Sequence, residues 1–268
     1  PDVFPELGDI YDRDAKVIHF DLNAYEIAKN HRVDLGLVCD PQLSLSLLAR
    51  ELEEIITPQQ AEAVRQKIAD YQRRKEQELA VAVEKDKNHR GSLTMAQFAD
   101  VLSARLPQGS VIFDEALTSS PELTRYIPSR NPGTYFVTRG GSLGVGIPGA
   151  IGAKLAYPGR TVIGFTGDGG SMYTIQALWT AARHNIGAKF VICNNGSYKL
   201  LQLNMDVYRK ETNDKKTDYP TYFDLSYPPI HFEQCARSMG VDAVKVETLQ
   251  QIEPAIERML ATESPFLI

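Results

Sequence analysis

Gly167-Asp168-Gly169 and, one helix and one strand further on, Asn194-Asn195 are the residues whose types and spacing could do chemistry. A carboxylate directly after one apolar run and a carboxamide directly after the next would lie side by side at the carboxyl edge of a parallel sheet, where open α/β folds bind ligands. Two such oxygen donors suit a hard divalent cation. Magnesium usually binds through one or two carboxylates plus phosphate oxygens of a substrate, so one Asp with one Asn fits a shared site better than a cage of protein alone. The turn Gly169-Gly170-Ser171, at the start of a helix, would offer N–H groups and a positive dipole end to phosphate. The joint ligand expected is a metal-bridged diphosphate, with Asp168 and Asn195 on the metal and Gly167, Gly169 and Gly170 close to the phosphates.

The elements that must position these residues can be read from the pattern. Residues 161–166 form a short apolar run that reads as a buried strand, and the glycines after it permit a sharp turn. Ser171 is expected to cap a helix over residues 172–184, with Met172, Ile175, Leu178, Trp179 and Ala182 on its core face, and residues 189–193 read as the next strand. The unit is βαβ. Further strands are expected at residues 111–114, 134–137, 243–246 and 265–268, with helices between them, which argues an α/β domain built on a doubly wound parallel sheet. Thr94 and Gln97 form a capping-box pattern that opens this domain with a helix to about residue 106.

Upstream, residues 17–21 and 37–39 read as short strands, and residues 41–56 as a helix closed by Pro58. Residues 58–88 carry Arg65, Lys67, Arg73, Arg74, Lys75 and Glu76 on a largely polar surface and read as a solvated helix. The expected organisation is a partial second, Rossmann-like domain over residues 1–57, a helical connector over 58–91 and the sheet domain over 92–268.

Composition narrows the function classes. The 268 residues are 43% hydrophobic and carry 29 basic against 34 acidic side chains, a formal net charge of -5. That leaves no basic surface for nucleic acid, and no apolar run approaches the ~20 residues of a membrane span. Cys39, Cys193 and Cys235 show no metal-ligand spacing and are expected to be buried thiols of a cytoplasmic protein. His184 is expected to cap a helix end, and His19 and His231 to be structural. Thr118 and Ser119, after the first strand of the sheet, either donate hydroxyls to phosphate or cap the next helix. Tyr198 either reaches a phosphate or packs. The polar segment 211–222 either covers the site as a lid or is a mobile loop.

The Gly-Asp-Gly to Asn-Asn combination resembles the thiamine diphosphate motif of the pyruvate decarboxylase and acetolactate synthase superfamily. Asn131-Pro132-Gly133-Thr134-Tyr135-Phe136, the glycine-rich run from Gly140 to Pro158, and Ala177-Leu178-Trp179-Thr180-Ala181-Ala182 resemble segments of benzoylformate decarboxylase-like enzymes. The likeness covers about residue 92 to the end, and residues 15–23 are similar to the closing part of the family's central domain. It implies a thiamine diphosphate-binding fold, thiamine diphosphate and Mg2+ as cofactors, and non-oxidative decarboxylation of a 2-oxo acid by a carbon–carbon lyase. An acetolactate synthase-type carboligase and a non-catalytic cofactor-binding module are the alternatives.

The resemblance also implies residue roles. The Ser197 backbone carbonyl would be the third protein ligand to the metal, the Gly141 carbonyl would accept a hydrogen bond from the aminopyrimidine, and Leu143 would wedge between the two cofactor rings. Leu143 also reads as the start of the core face of a helix running to Leu155. Leu117, Leu200, Leu201 and Asn204 would line the substrate pocket, where the leucines suit an apolar substituent; their spacing equally fits an ordinary helix core. Lys199 departs from the small residue of the decarboxylases. No catalytic side chain is expected here, because the activating glutamate belongs to a pyrimidine-binding domain without a counterpart in these residues. The sequence opens without methionine and stops on an apolar strand, so it is expected to be a piece of a longer polypeptide. That domain would come from the same full-length chain or a partner subunit, in a homodimer or homotetramer.

Overall fold

The computed structural model describes residues 11–12, 14–138 and 140–268. Two compact units meet in sequence between Val81 and Ala82. In the first, β1 (Ile18–Asp21) and β2 (Leu35–Val38) pair in parallel, and α1 (Pro41–Ile55) follows. Asp40 caps α1 by accepting the Leu43 N–H at 2.9 Å, and Pro41 opens it, where a missing N–H costs nothing. Then α2 (Pro58–Lys87) runs for 30 residues and buries none of them. Up to Val81 its support is local, from pairs such as Arg65 with Glu62 and Arg73 with Asp70; its last turns belong to the second unit, where Asp86 pairs with Arg125 and accepts the Tyr126 hydroxyl at 3.1 Å.

After those turns the second unit continues with α3 (Met95–Ser103), whose capping box is complete: Gln97 N–H donates to Thr94 Oγ1 at 3.3 Å and Thr94 N–H to Gln97 Oε1 at 3.1 Å. There follow β3 (Val111–Glu115), α4 (Ser120–Tyr126), β4 (Tyr135–Val137), α5 (Gly146–Ala156), β5 (Val162–Gly167), α6 (Asp168–Ser171), α7 (Ala177–Arg183) and β6 (Lys189–Cys193). The chain continues through α8 (Lys199–Thr212), α9 (Phe232–Ser238), β7 (Asp242–Ala243), α10 (Leu249–Ala261) and β8 (Phe266–Leu267). Six strands make one wholly parallel sheet in the order β4-β3-β5-β6-β8-β7, so the chain winds outward in both directions from its centre.

Strand alternation divides the apolar side chains between the two faces of the sheet. Ile112, Ile163, Phe165, Val191 and Phe266 pack with α3, α4 and α10 through Phe98, Leu102, Leu123, Ile256 and Met259. Val111, Val162, Phe190 and Leu267 pack on the other face with α5, α7 and α9 through Ile147, Ala150, Leu178 and Ala236. Each fully buried Val, Leu, Ile, Phe or Met side chain among them contributes about 1.5–3 kcal/mol of transfer free energy. Every buried side-chain nitrogen and oxygen among the described residues has a hydrogen-bond partner. None of the described helices is long and apolar enough to cross a membrane.

Several expectations are corrected here. The helix expected over residues 172–184 is confined to α7: α6 ends before it, and residues 172–176 are tight turns. Thr174 N–H bonds to Ser171 O at 3.1 Å and Ala177 N–H to Thr174 O at 2.8 Å, bonds three residues apart, in a stretch where β-branched Thr174 and Ile175 disfavour a helix. Ser171 lies inside α6 rather than capping a longer helix. Ile175, Leu178 and Ala181 form the core face, while Met172 and Trp179 are 47% and 53% exposed. The strand expected over 243–246 pairs only at Asp242–Ala243, against an equally short β8. The three cysteines are half-buried rather than buried, and free. His184 does terminate α7.

One glycine sets how closely α5, and the loop that feeds it, approach the sheet. A Cβ on Gly164 of β5 would meet Ala150 Cβ and Gly146 O, each at 2.6 Å. The second of these atoms is backbone and cannot swing aside. Gly164→Ala is therefore expected to lower the unfolding free energy by about 1–3 kcal/mol, the cost of overpacking a tight core, read from denaturant unfolding of the variant against wild type.

Candidate functional site

β3, β5 and β6 are neighbours whose carboxyl ends are level, with Glu115 opposite Thr166 and Gly167 opposite Cys193. The segments that leave those ends therefore meet at one edge of the sheet. They are the Leu117–Ser119 turn after β3, α6 after β5, and residues 194–198 after β6. The loop after β4, which holds Gly141 and Leu143, opens at the same edge.

Asp168 is the first residue after β5 and is only 4% exposed. Its Oδ1 accepts the Gly169 N–H at 2.8 Å and its Oδ2 accepts the Ser197 N–H at 3.2 Å. Asn195 Oδ1 accepts the same Ser197 N–H at 3.0 Å and the Ser197 hydroxyl at 3.1 Å. One backbone amide thus brings the carboxylate and the carboxamide together. Burial pushes the Asp168 carboxyl above the usual carboxylate range, and the N–H groups of Gly169, Gly196, Ser197 and Asn195 pull it back.

A buried carboxylate answered by backbone dipoles, beside a carboxamide oxygen, is a donor set suited to a hard divalent cation. The described residues contain no group of three or more His, Cys, Asp or Glu side chains that could hold a metal unaided. The Ser197 carbonyl accepts the Lys199 N–H at 2.9 Å and keeps its second lone pair. Residues 196–198 are clamped from outside, with Tyr198 N–H on Phe223 O at 2.9 Å, Leu225 N–H on Gly196 O at 2.8 Å, and an antiparallel bridge between Ser197 and Asp224.

The remaining candidates fall into place unevenly. Gly169 and Gly170 are buried in the turn, but the Gly169 N–H is engaged by its own neighbour Asp168. The Tyr198 ring packs over Gly169, so close that a Cβ there would overlap Tyr198 Cε1. Thr118 and Ser119 form a 3-10 turn, and Ser119 precedes α4 without a side-chain capping bond. Leu117 opens that turn at φ +50°, a left-handed conformation that is costly for a bulky side chain and clusters at functional positions. α8 packs against the same turn, which brings Leu117 to the helix carrying Leu200, Leu201 and Asn204. No residue of α8 is fully buried, so Leu200 and Leu201 are not core residues of an ordinary helix. Leu143 is 41% exposed and lies outside α5, whose core face is Ile147, Ala150 and Ile151; Leu155 points outward.

Residues 118–268 match the family described as thiamine pyrophosphate enzyme, C-terminal TPP binding domain. The chain belongs to the thiamine pyrophosphate enzymes. It is 35% identical over 178 residues to benzoylformate decarboxylase of Pseudomonas aeruginosa, covering 66% of this chain and 32% of that protein. It is 26% identical over 259 residues to the acetolactate synthase large subunit of Lactococcus lactis, covering 96% of this chain and 41% of that protein. Among solved structures, the thiamine diphosphate-dependent 4-hydroxybenzoylformate decarboxylase of Rhodococcus jostii superposes with a TM-score of 0.71 at 26% identity, over 97% of this chain and 44% of that one. The chain therefore spans less than half the length of these relatives.

Four residues near this edge of the sheet were not singled out by sequence: Asp114, Glu115, Thr166 and Thr174. The available signal was the pair of acids that ends an apolar strand, since a fully buried Glu is rare unless it is paired. The contact between Gly169 and Tyr198 gives a direct test of the packing. Gly169→Ala should displace the Tyr198 ring, lowering the unfolding free energy by about 1–2 kcal/mol and shifting the Tyr198 ring resonances in an NMR spectrum. Unshifted resonances would contradict the contact.

Proposed function

We propose that this chain is the diphosphate-binding part of a thiamine diphosphate- and magnesium-dependent 2-oxo acid decarboxylase of the benzoylformate decarboxylase type. The observation that carries this reading is the convergence of Asp168, Asn195 and Ser197 on one backbone amide at the edge of the sheet. Asp168, the Asn195 side-chain oxygen and the Ser197 carbonyl would hold Mg2+. Gly167, Gly169 and Gly170 would let the diphosphate approach the backbone, Thr118 and Ser119 would offer hydroxyls, and Tyr198 would close the turn from above. The Gly141 carbonyl and the Leu143 side chain would face the ring half of the cofactor. When bound, thiamine diphosphate supplies the electron sink for loss of carbon dioxide from a 2-oxo acid.

Leu117, Leu200, Leu201 and Asn204 would line the substrate pocket, and the packing of α8 on the Leu117–Ser119 turn supports an apolar substituent on the acid. The same reading assigns residues 1–57 to the end of a central domain, 58–91 to a connector and 92–268 to the cofactor-binding domain. The glutamate that activates the pyrimidine ring would come from a pyrimidine-binding domain of the full-length protein or of a partner subunit, in a dimer or tetramer. Exposed Leu35, Leu37 and Val38 on β2, and Leu43 and Leu47 on α1, support a longer protein in which further chain covers this surface. Carboligation of the acetolactate synthase type is the second reading, favoured by the alignment of that relative along 96% of this chain.

Product analysis on the full-length protein decides between the two. Benzoylformate is expected to take up one proton and give benzaldehyde and carbon dioxide in equal amounts, with no acetolactate from pyruvate. Acetolactate as the main product would overturn the decarboxylase reading.

The metal assignment has its own test. Asp168→Ala should weaken magnesium-dependent binding of thiamine diphosphate by about 100-fold or more, because the diphosphate charge loses its bridge to the protein. Calorimetry, with circular dichroism to show an intact fold, checks this. In the wild type a proton on Asp168 competes with the metal, and its carboxyl is pushed up by burial. Affinity should therefore fall on acidification while the pH is still above the ~3.9 of an exposed aspartate. Equal affinity in variant and wild type would remove Asp168 from the ligand set.

A further inference from the structure

The two acids that end β3 point to opposite faces of the sheet, and each holds a different loop of the candidate site. Asp114 lies on the Ile112 side; it accepts the Ala116 N–H and the Ser120 hydroxyl on Oδ1, both at 2.8 Å, and the Tyr135 hydroxyl on Oδ2 at 2.8 Å. It thereby shapes the Leu117–Ser119 turn. Glu115 lies on the α5 side and is 1% exposed. One of its oxygens accepts the Gly144 N–H and the other the Gly146 N–H, and the Thr166 hydroxyl adds a bond to Oε2 at 3.3 Å. Taking a carboxylate this far from water costs several kcal/mol unless hydrogen bonds answer it. Neighbouring positions of β3 and β5 with the same burial, Val111 and Ile163, are plain hydrocarbon.

What this carboxylate holds is a segment with little shape of its own. Gly140, Gly141 and Gly144 have φ of +62°, +69° and +85°. Residues at such angles have a wide choice of backbone states, and no buried apolar side chain fixes the run before Gly144, since Leu143 is exposed. The loop is fixed from outside instead, by Glu115 on two N–H groups and by the Thr174 hydroxyl on Gly144 O at 2.6 Å. The same carboxylate borders the other half of the site: a Cβ built on Gly170 would lie 3.2 Å from Glu115 Oε1. One buried group thus stands between the loop of Gly141 and Leu143 and the turn of Asp168 to Gly170.

We propose that Glu115 is the positioning residue of this site, which fixes where the Gly141 carbonyl and the Leu143 side chain stand relative to the anchored diphosphate. The proposal rests on the cofactor reading given above. Its chemistry is specific to a carboxylate. Two N–H groups approach two oxygens, and glutamine offers one oxygen and one NH2, so one glycine N–H would face a donor. Glu115 makes no hydrogen bond to Asp168, Asn195 or Ser197, its partners being Gly144, Gly146 and Thr166, so anchoring and positioning should separate.

The experiment uses the full-length protein as wild type, Glu115→Gln and Thr174→Val, with thiamine diphosphate and magnesium chloride as the probe. In Glu115→Gln, amide hydrogen exchange at Gly144 and Gly146 without cofactor should accelerate roughly 10-fold or more, the loss of a charge-assisted hydrogen bond. The calorimetric Kd for thiamine diphosphate should stay within about threefold of wild type, while turnover at saturating cofactor falls by about 10-fold or more with KM for the 2-oxo acid little changed, as expected when reacting groups are misplaced. Thr174→Val should act in the same direction and less strongly, and it carries the test if Glu115→Gln does not fold. Unchanged exchange and turnover in the folded variants overturn the proposal. So does a loss of cofactor affinity that follows the drop in melting temperature with no selective loss of turnover, which would make Glu115 an ordinary support of the fold. Failure of the wild type to bind thiamine diphosphate overturns the cofactor reading itself, and this proposal with it.

Discussion

A carboxylate buried at the end of β5, answered by backbone N–H groups, is the constraint around which the rest of the site is organised. Asp168 is withdrawn from water by the sheet and the turn that follows it, and its ionised form is tolerable there because the amides of Gly169 and Ser197 point at its oxygens. That geometry needs β6 to end level with β5, and it needs residues 196–198 clamped by Phe223 and Leu225. A small shift of either strand would leave a buried charge without partners.

The level strand ends follow in turn from the core. Period-two alternation sends apolar side chains to both faces of β3, β5 and β6, and helices on each face seal them. A slip of one residue would exchange the two faces, so the register is set firmly. Gly164 lets α5 lie directly on β5, and this brings the loop of residues 140–146 within reach of Glu115. Core packing and site geometry are therefore consequences of one arrangement.

Polar groups do at the edge what hydrocarbon does in the middle. Glycines at positive φ give the loops close approach but no preferred shape. Asp114 and Glu115 supply that shape through hydrogen bonds that are strong because they are buried. At this edge Leu117 is held left-handed and Leu143 is exposed. This division fits a thiamine pyrophosphate enzyme, in which the cofactor carries the reaction and the protein holds it in place.

The sequence by itself determined the parallel α/β class, the strands at the centre of the sheet and the placing of Asp168 and Asn195 just beyond two of them. Those features are local: apolar alternation, glycine punctuation and capping residues are written in neighbouring positions. The break between α6 and α7 was not legible, because Thr174 gives its hydroxyl to Gly144, 30 residues away in sequence. Nor was the part played by Glu115, whose partners Gly144, Gly146 and Thr166 are distant along the chain and signal nothing until the sheet assembles. Trp179 and Met172 looked like core by helical spacing and stand exposed, since the spacing assumed one continuous helix. Local pattern names the elements, and only the tertiary structure decides which backbone N–H a buried carboxylate will find.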